Sequence, residues 1–173
     1  ALESSHKVNT IVFDKTGTLT MGNLSISKVY NFSNISNEEL ISIAASVESK
    51  VTHPIAEAIV RYAKDQKINI QKVTEFENIS GYGVKGKVNN QTICLGNRAF
   101  MEQQKIVNNF IDKEEELTVL GNSIVYVAQD YQIIGLIGVK DVLRDNVENV
   151  IKELNSRKIE TIMLTGDNEK TAN

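Results

Sequence analysis

The chain has 173 residues, 41% of them hydrophobic and 24% charged, a globular composition with room for one or two cores. A formal net charge of −3 without any basic run argues against a nucleic-acid partner, and a single cysteine, Cys94, excludes an internal disulfide. No apolar stretch approaches the roughly 18 to 20 residues of a membrane helix, and no signal peptide opens the sequence.

In chain order, Val8 to Phe13 predicts a buried strand and Leu24 to Tyr30 a half-exposed one. Ser36-Asn37-Glu38-Glu39 is a capping box, and Leu40, Ile43, Ala44 and Val47 follow at helical spacing. Pro54 opens a second helix with Ile55, Ala58, Ile59 and Tyr62 as its core stripe. From Lys72 to Leu95 the pattern becomes short strands broken by glycines. Asn97 to Leu117 reads as one polar helical stretch, and Asn122 to Val139 as two strands joined at Gln129-Asp130. Asp145-Asn146-Val147-Glu148 caps a helix whose buried stripe is Val147, Val150, Ile151 and Leu154. A last short strand, Glu160 to Leu164, ends in Thr165-Gly166-Asp167-Asn168.

Strand, turn and helix thus recur at both ends, around a β-rich middle. The expected fold is α/β: a Rossmannoid domain over 1–23 and 138–173, interrupted by an inserted α+β domain with an antiparallel sheet over 24–137.

Two constellations carry chemistry. The first is Asp14-Lys15-Thr16-Gly17-Thr18-Leu19-Thr20, directly after the first strand. It puts a carboxylate at the carboxyl end of a strand, before a hydroxyl-rich glycine turn, where open α/β sheets bind anions. Two residues beyond Asp14, where a phosphatase of related type carries a second acid, stands Thr16, which cannot act as a general base near neutral pH. Asp14 therefore suits a phosphate acceptor. This heptapeptide resembles the phosphorylation signature of P-type ATPases, ion pumps of the haloacid dehalogenase-like superfamily that pass through an aspartyl-phosphate. The resemblance implies Asp14 as nucleophile, with Lys15 in the same catalytic motif and Mg²⁺ held by the Asp14 carboxylate and the Thr16 backbone carbonyl. It places Thr165 on the phosphoryl oxygens, and Gly166, Asp167 and Asp141 near the nucleotide phosphates. The lysine and the GDGxND stretch that complete the family's site have no counterpart before Asn173. The Rossmannoid domain is therefore expected to be incomplete at its carboxyl end and weakly active or inactive alone.

The second constellation is Gly81-Tyr82-Gly83-Val84-Lys85-Gly86. A dinucleotide fold would follow these glycines with a helix, but Val84 to Val88 and Gln91 to Leu95 alternate like a hairpin around Asn89-Asn90. A histidine before proline is, by itself, a helix-entry residue. Together, His53-Pro54, this glycine stretch and Gly96-Asn97, with Glu48 upstream, resemble the nucleotide-binding domain of the heavy-metal branch of P-type ATPases. The implied nucleotide site is Glu48, His53, Gly81, Gly83, Gly86 and Asn97, taking ATP. Where the family carries Ser-Glu before His-Pro, this sequence has Val51-Thr52.

The resemblance implies a cytosolic part of an integral membrane pump, with transmembrane and actuator domains as partners. Ala1-Leu2-Glu3 would be the end of the stalk entering from the membrane. The transported metal would bind elsewhere, with copper as the expected cargo and zinc, cadmium or cobalt as alternatives. The competing readings are a haloacid dehalogenase-like phosphatase or phosphomutase with a cap domain, and a nucleotide-binding module without chemistry.

Overall fold

Two sheets organise the chain in the computed structural model, which describes residues 8–164, the side chains of Lys15, Thr16 and Leu164 excepted. Strands β1 (Thr10–Asp14) and β8 (Glu160–Leu164) form a parallel pair in register from Thr10 opposite Glu160 to Asp14 opposite Leu164. The other six strands are β2 (Thr20–Asn31), β3 (Val73–Ile79), β4 (Gly83–Val88), β5 (Gln91–Gly96), β6 (Ser123–Gln129) and β7 (Gln132–Leu143). They lie in the order β2-β7-β6-β5-β4-β3, and the pairs from β3 to β7 are antiparallel. The chain divides into one unit of residues 1–23 and 141–173 and another of 24–140, and it passes between them within β2 and within β7.

In the unit of 24–140, helices α1 (Asn37–Glu48) and α2 (Pro54–Asp65) cover one face of the sheet, and the short α3 (Arg98–Gln103) and α4 (Ile111–Val119) cover the other. Strand alternation sorts the core accordingly. Val125 and Val127 of β6 pack with Leu40, Val47 and Ile59, whereas Tyr126 and Ala128 pack with Phe100, Met101 and Leu117. Cys94 is fully buried in the second cluster and acts there as a small apolar residue. The expected caps form: Ser36 Oγ accepts from the Glu39 N–H at 3.1 Å, and Pro54 is the first residue of α2.

Four expectations need correction. Asn97 to Leu117 is two helices, because Lys105 adopts a left-handed conformation (φ 58°) and ends α3. The turn between β6 and β7 falls on Asp130-Tyr131, both at positive φ, one residue later than expected, and β7 runs on to Leu143. Asn146 precedes α5 (Val147–Ser156) at φ 71° and makes no side-chain cap. Neither α5 nor β1 is fully buried: Val150 and Val12 are exposed, and Val147, Ile151 and Leu154 are half-buried. Among the described residues the sheet beside α5 has two strands, too narrow a surface to cover a helix stripe.

Candidate functional site

The unit of 24–140 contains a cleft of about 410 Å³. The end of α1, the entry to α2, the turn before β4, the start of α3 and the strand β6 all border it. Glu48, His53, Gly81, Gly83 and Asn97 line it together, although they span about 50 residues of sequence. Val51 and Thr52, the pair that departs from the family pattern, line it too.

Each of these residues is placed by a local cause. His53 is the N-cap of α2, and its Nδ1 accepts from the Ile55 N–H at 3.3 Å. That bond fixes the ring and leaves Nε2 to carry the proton of the neutral imidazole. Asn97 is the N-cap of α3: Oδ1 accepts from the Phe100 N–H at 2.9 Å, while Nδ2 donates to the Gly81 carbonyl at 3.0 Å. One amide thus ties the glycine turn to a helix start. Gly83 and Gly96 face each other across β4 and β5, and a Cβ on Gly83 would lie 2.7 Å from the Gly96 Cα and 2.7 Å from Phe100 Cδ1. Backbone and the Phe100 ring fill the place a side chain would take, so only glycine fits at this position.

Glu48, the last residue of α1, is 7% exposed, and burial pushes its carboxyl from the ordinary 4.5 up to about 7. It is the one acid among the described residues lining the cleft. The wall is otherwise mainly apolar, with Ile55, Ile79, Val84, Ile124 and Val125 beside Tyr82. This set suits a flat, partly apolar ring system with a few polar edge atoms.

Gly86 does not belong to this cleft. It lies within β4, where a Cβ would come 2.8 Å from Val73 Cγ1 and 3.7 Å from Val47 Cγ1, so its small size serves packing. Asp141 is not among the residues lining the cleft and belongs to the other unit.

In that unit Asp14 ends β1, exposed, and the chain turns through a π-helical segment, Lys15–Leu19. Gly17 needs no steric allowance, since nothing would touch a Cβ there, but its φ of 80° belongs to glycine. Thr20 Oγ1 accepts from the Gly17 N–H at 3.2 Å and donates to Asp141 Oδ2 at 2.6 Å. Arg144 donates from Nη2 to the Gly17 carbonyl and from its backbone N–H to the Leu19 carbonyl, each at 2.9 Å. Asp141 and Arg144, at the end of β7, therefore brace the turn that follows Asp14. The sequence reading gave Thr20 no separate role and missed Arg144, whose contact depends on how β7 runs and has no local signal. Thr165, Gly166 and Asp167, like Ala1-Leu2-Glu3, lie outside the described residues, as do the side chains of Lys15 and Thr16.

Residues 8–173 match the haloacid dehalogenase-like hydrolases, and the chain belongs to that family. Among curated proteins it is 37% identical over 173 residues to a copper-exporting P-type ATPase of Staphylococcus epidermidis, with 99% of this chain and 21% of the relative covered. It is likewise 37% identical over 176 residues to a probable copper-transporting P-type ATPase B of Staphylococcus aureus, with 99% of this chain and 26% of the relative covered. Its fold resembles a zinc-transporting PIB-type ATPase solved in the E2.Pi state (TM-score 0.86, 32% identity, 95% of this chain and 27% of that one). It also resembles the catalytic domain of the CPx-ATPase CopB-B, studied upon nucleotide binding (TM-score 0.70, 31% identity, 97% of this chain and 58% of that one). The chain spans 21% to 26% of the length of these curated relatives and is homologous to the catalytic domains of heavy-metal P-type ATPases. No helix among the described residues is long and apolar enough to cross a membrane.

Proposed function

We propose that this chain is the cytosolic phosphorylation and nucleotide-binding part of an ATP-driven transition-metal pump, with copper as its cargo. One observation carries this reading: Glu48, His53, Gly81, Gly83 and Asn97 line a single cleft. In this reading the cleft takes the adenine of ATP. The His53 ring stacks on or edges the base, Glu48 meets its amine, and Gly81 and Gly83 let the nucleotide approach bare backbone. Asn97 acts by holding the glycine turn.

Residues 1–23 and 141–173 then form the phosphorylation domain. An Asp14 carboxylate oxygen attacks the γ-phosphorus, the bond from phosphorus to the bridging oxygen breaks, and ADP leaves with the electron pair. Asp14 and the Thr16 carbonyl are hard oxygen donors of the kind Mg²⁺ takes, and Asp14 is exposed, so this donor set fits the ion. Bound there, Mg²⁺ supplies charge neutralisation for the phosphoryl oxygens. Thr165, Gly166 and Asp167, outside the described residues, are assigned to the phosphoryl and nucleotide phosphate oxygens on the family resemblance alone. Thr20, Asp141 and Arg144 keep the turn after Asp14 in shape. Thr16 offers no base for hydrolysis, so the acyl phosphate outlasts its formation, as a pump needs for its conformational step. Transfer requires the γ-phosphoryl group of the bound nucleotide to reach Asp14. The transmembrane and actuator domains belong to the longer protein, which binds its metal cargo outside this chain.

In the complete pump, Asp14→Asn is expected to abolish labelling by γ-labelled ATP while leaving ATP binding intact. Loss of both together would contradict the division of labour between the two units.

A further inference from the structure

Within the cleft the Glu48 carboxyl is unusual in having no protein partner. It is 7% exposed, and no described residue donates a hydrogen bond to it or pairs with it. An ionised carboxylate in that position would carry a desolvation cost that nothing in the protein offsets.

The charged neighbours are committed elsewhere or lie toward solvent. Glu57, Arg61, Lys64 and Asp65 of α2 border a smaller cleft that Glu48 also lines, and Arg61 donates to the Leu24 carbonyl. On the strands under α1, Lys85 bonds Tyr131 and Lys87 bonds Glu75. His53 and Tyr82 share the cleft itself. Burial is the cause that raises the Glu48 carboxyl to about 7.

Resting on the reading of this cleft as an adenine site, we propose that Glu48 engages the base as the neutral carboxylic acid. Its O–H donates to a ring nitrogen of adenine while its carbonyl oxygen accepts from the exocyclic amine. Adenine presents one acceptor and one donor along that edge, and a neutral carboxyl presents the complementary pair. A carboxylate has acceptors only, so it would satisfy the amine and repel the ring nitrogen lone pair. Adenine-nucleotide binding is therefore coupled to proton uptake at Glu48, and affinity falls as the medium becomes alkaline.

The test is calorimetric titration of the 173-residue chain with ATP across the neutral range, beside Glu48→Gln, whose amide carries one donor and one acceptor at every pH. Every ionisation other than that of Glu48, including that of the ATP phosphates, enters both proteins alike, so the ratio of their affinities isolates Glu48. Wild-type affinity is expected to fall about tenfold relative to the variant between about pH 6 and about pH 8. Repeating the wild-type titration in buffers of different ionisation enthalpy should show net proton uptake above neutrality. A constant ratio of affinities, with no difference in proton uptake, overturns the proposal and leaves the adenine site standing. Absence of ATP binding at every pH overturns the adenine reading and this proposal with it.

Discussion

Glu48 and Gly83 set opposite demands on the same cleft, one chemical and one steric. The Glu48 carboxyl titrates at about 7 in the folded chain against 4.5 for the ordinary group. A folded value raised in this way makes its contribution to stability fully present below about 4.5 and lost as pH rises through about 7. The loss amounts to about 2–3 kcal/mol between about pH 4.5 and about pH 8. Glu48→Gln should remove that part of the decline, measured as urea-unfolding free energies across the range. An unchanged pH profile in the variant would mean the carboxyl is solvated. Gly83 has no such latitude, since a methyl there meets the Gly96 backbone and the Phe100 ring. Gly83→Ala is expected to cost about 2 kcal/mol and to weaken nucleotide binding, by unfolding and titration of the same preparation.

At the scale of elements, the helix ends explain what the sequence could and could not reveal. Helix α2 closes with the Ile68 N–H on the Ala63 carbonyl at 2.8 Å and the Lys67 N–H on the Lys64 carbonyl at 3.0 Å, with Lys67 left-handed at φ 57°. Helices α3 and α5 end in the same two-bond pattern, with Lys105 and Lys158 at that position. Only α4 uses a glycine, Gly121. A lysine suits the negative end of a helix dipole but gives no stop signal in sequence, so the break after α3 was invisible while the starts at Ser36 and Pro54 were plain. Replacing Lys67 by glycine removes the left-handed strain and should stabilise the chain by about 0.5–1 kcal/mol, read from thermal or urea unfolding. Destabilisation would show that the lysine side chain contributes more than its backbone costs.

Across the whole molecule, the α/β fold and the inserted antiparallel sheet were legible from short-range signatures: alternation, caps and glycine turns. The grouping of Glu48, His53, Gly81, Gly83 and Asn97 rests on the family resemblance, and these five line one cleft. What sequence alone could not supply was three-dimensional neighbourhood. Gly86 shares a motif with Gly81 and Gly83, yet three residues beyond Gly83 it packs against Val47 and Val73. Asp141 and Arg144 brace the turn after Asp14 across more than 120 residues. The burial of Glu48, which gives its carboxyl an unusual character, follows from helix-on-sheet packing that no local pattern announces.

In the proposed function the cleft of residues 24–140 holds adenine at His53. A calorimetric titration of the chain with ATP and ADP, beside His53→Asn, tests it most directly. Asparagine caps a helix as histidine does here, so the start of α2 is kept while the imidazole is lost. Binding of both nucleotides by the wild type, weakened about tenfold or more in the variant, is expected, as loss of a stacking or hydrogen-bonding ring of about 1–2 kcal/mol implies. No binding, or binding indifferent to the substitution, would contradict it.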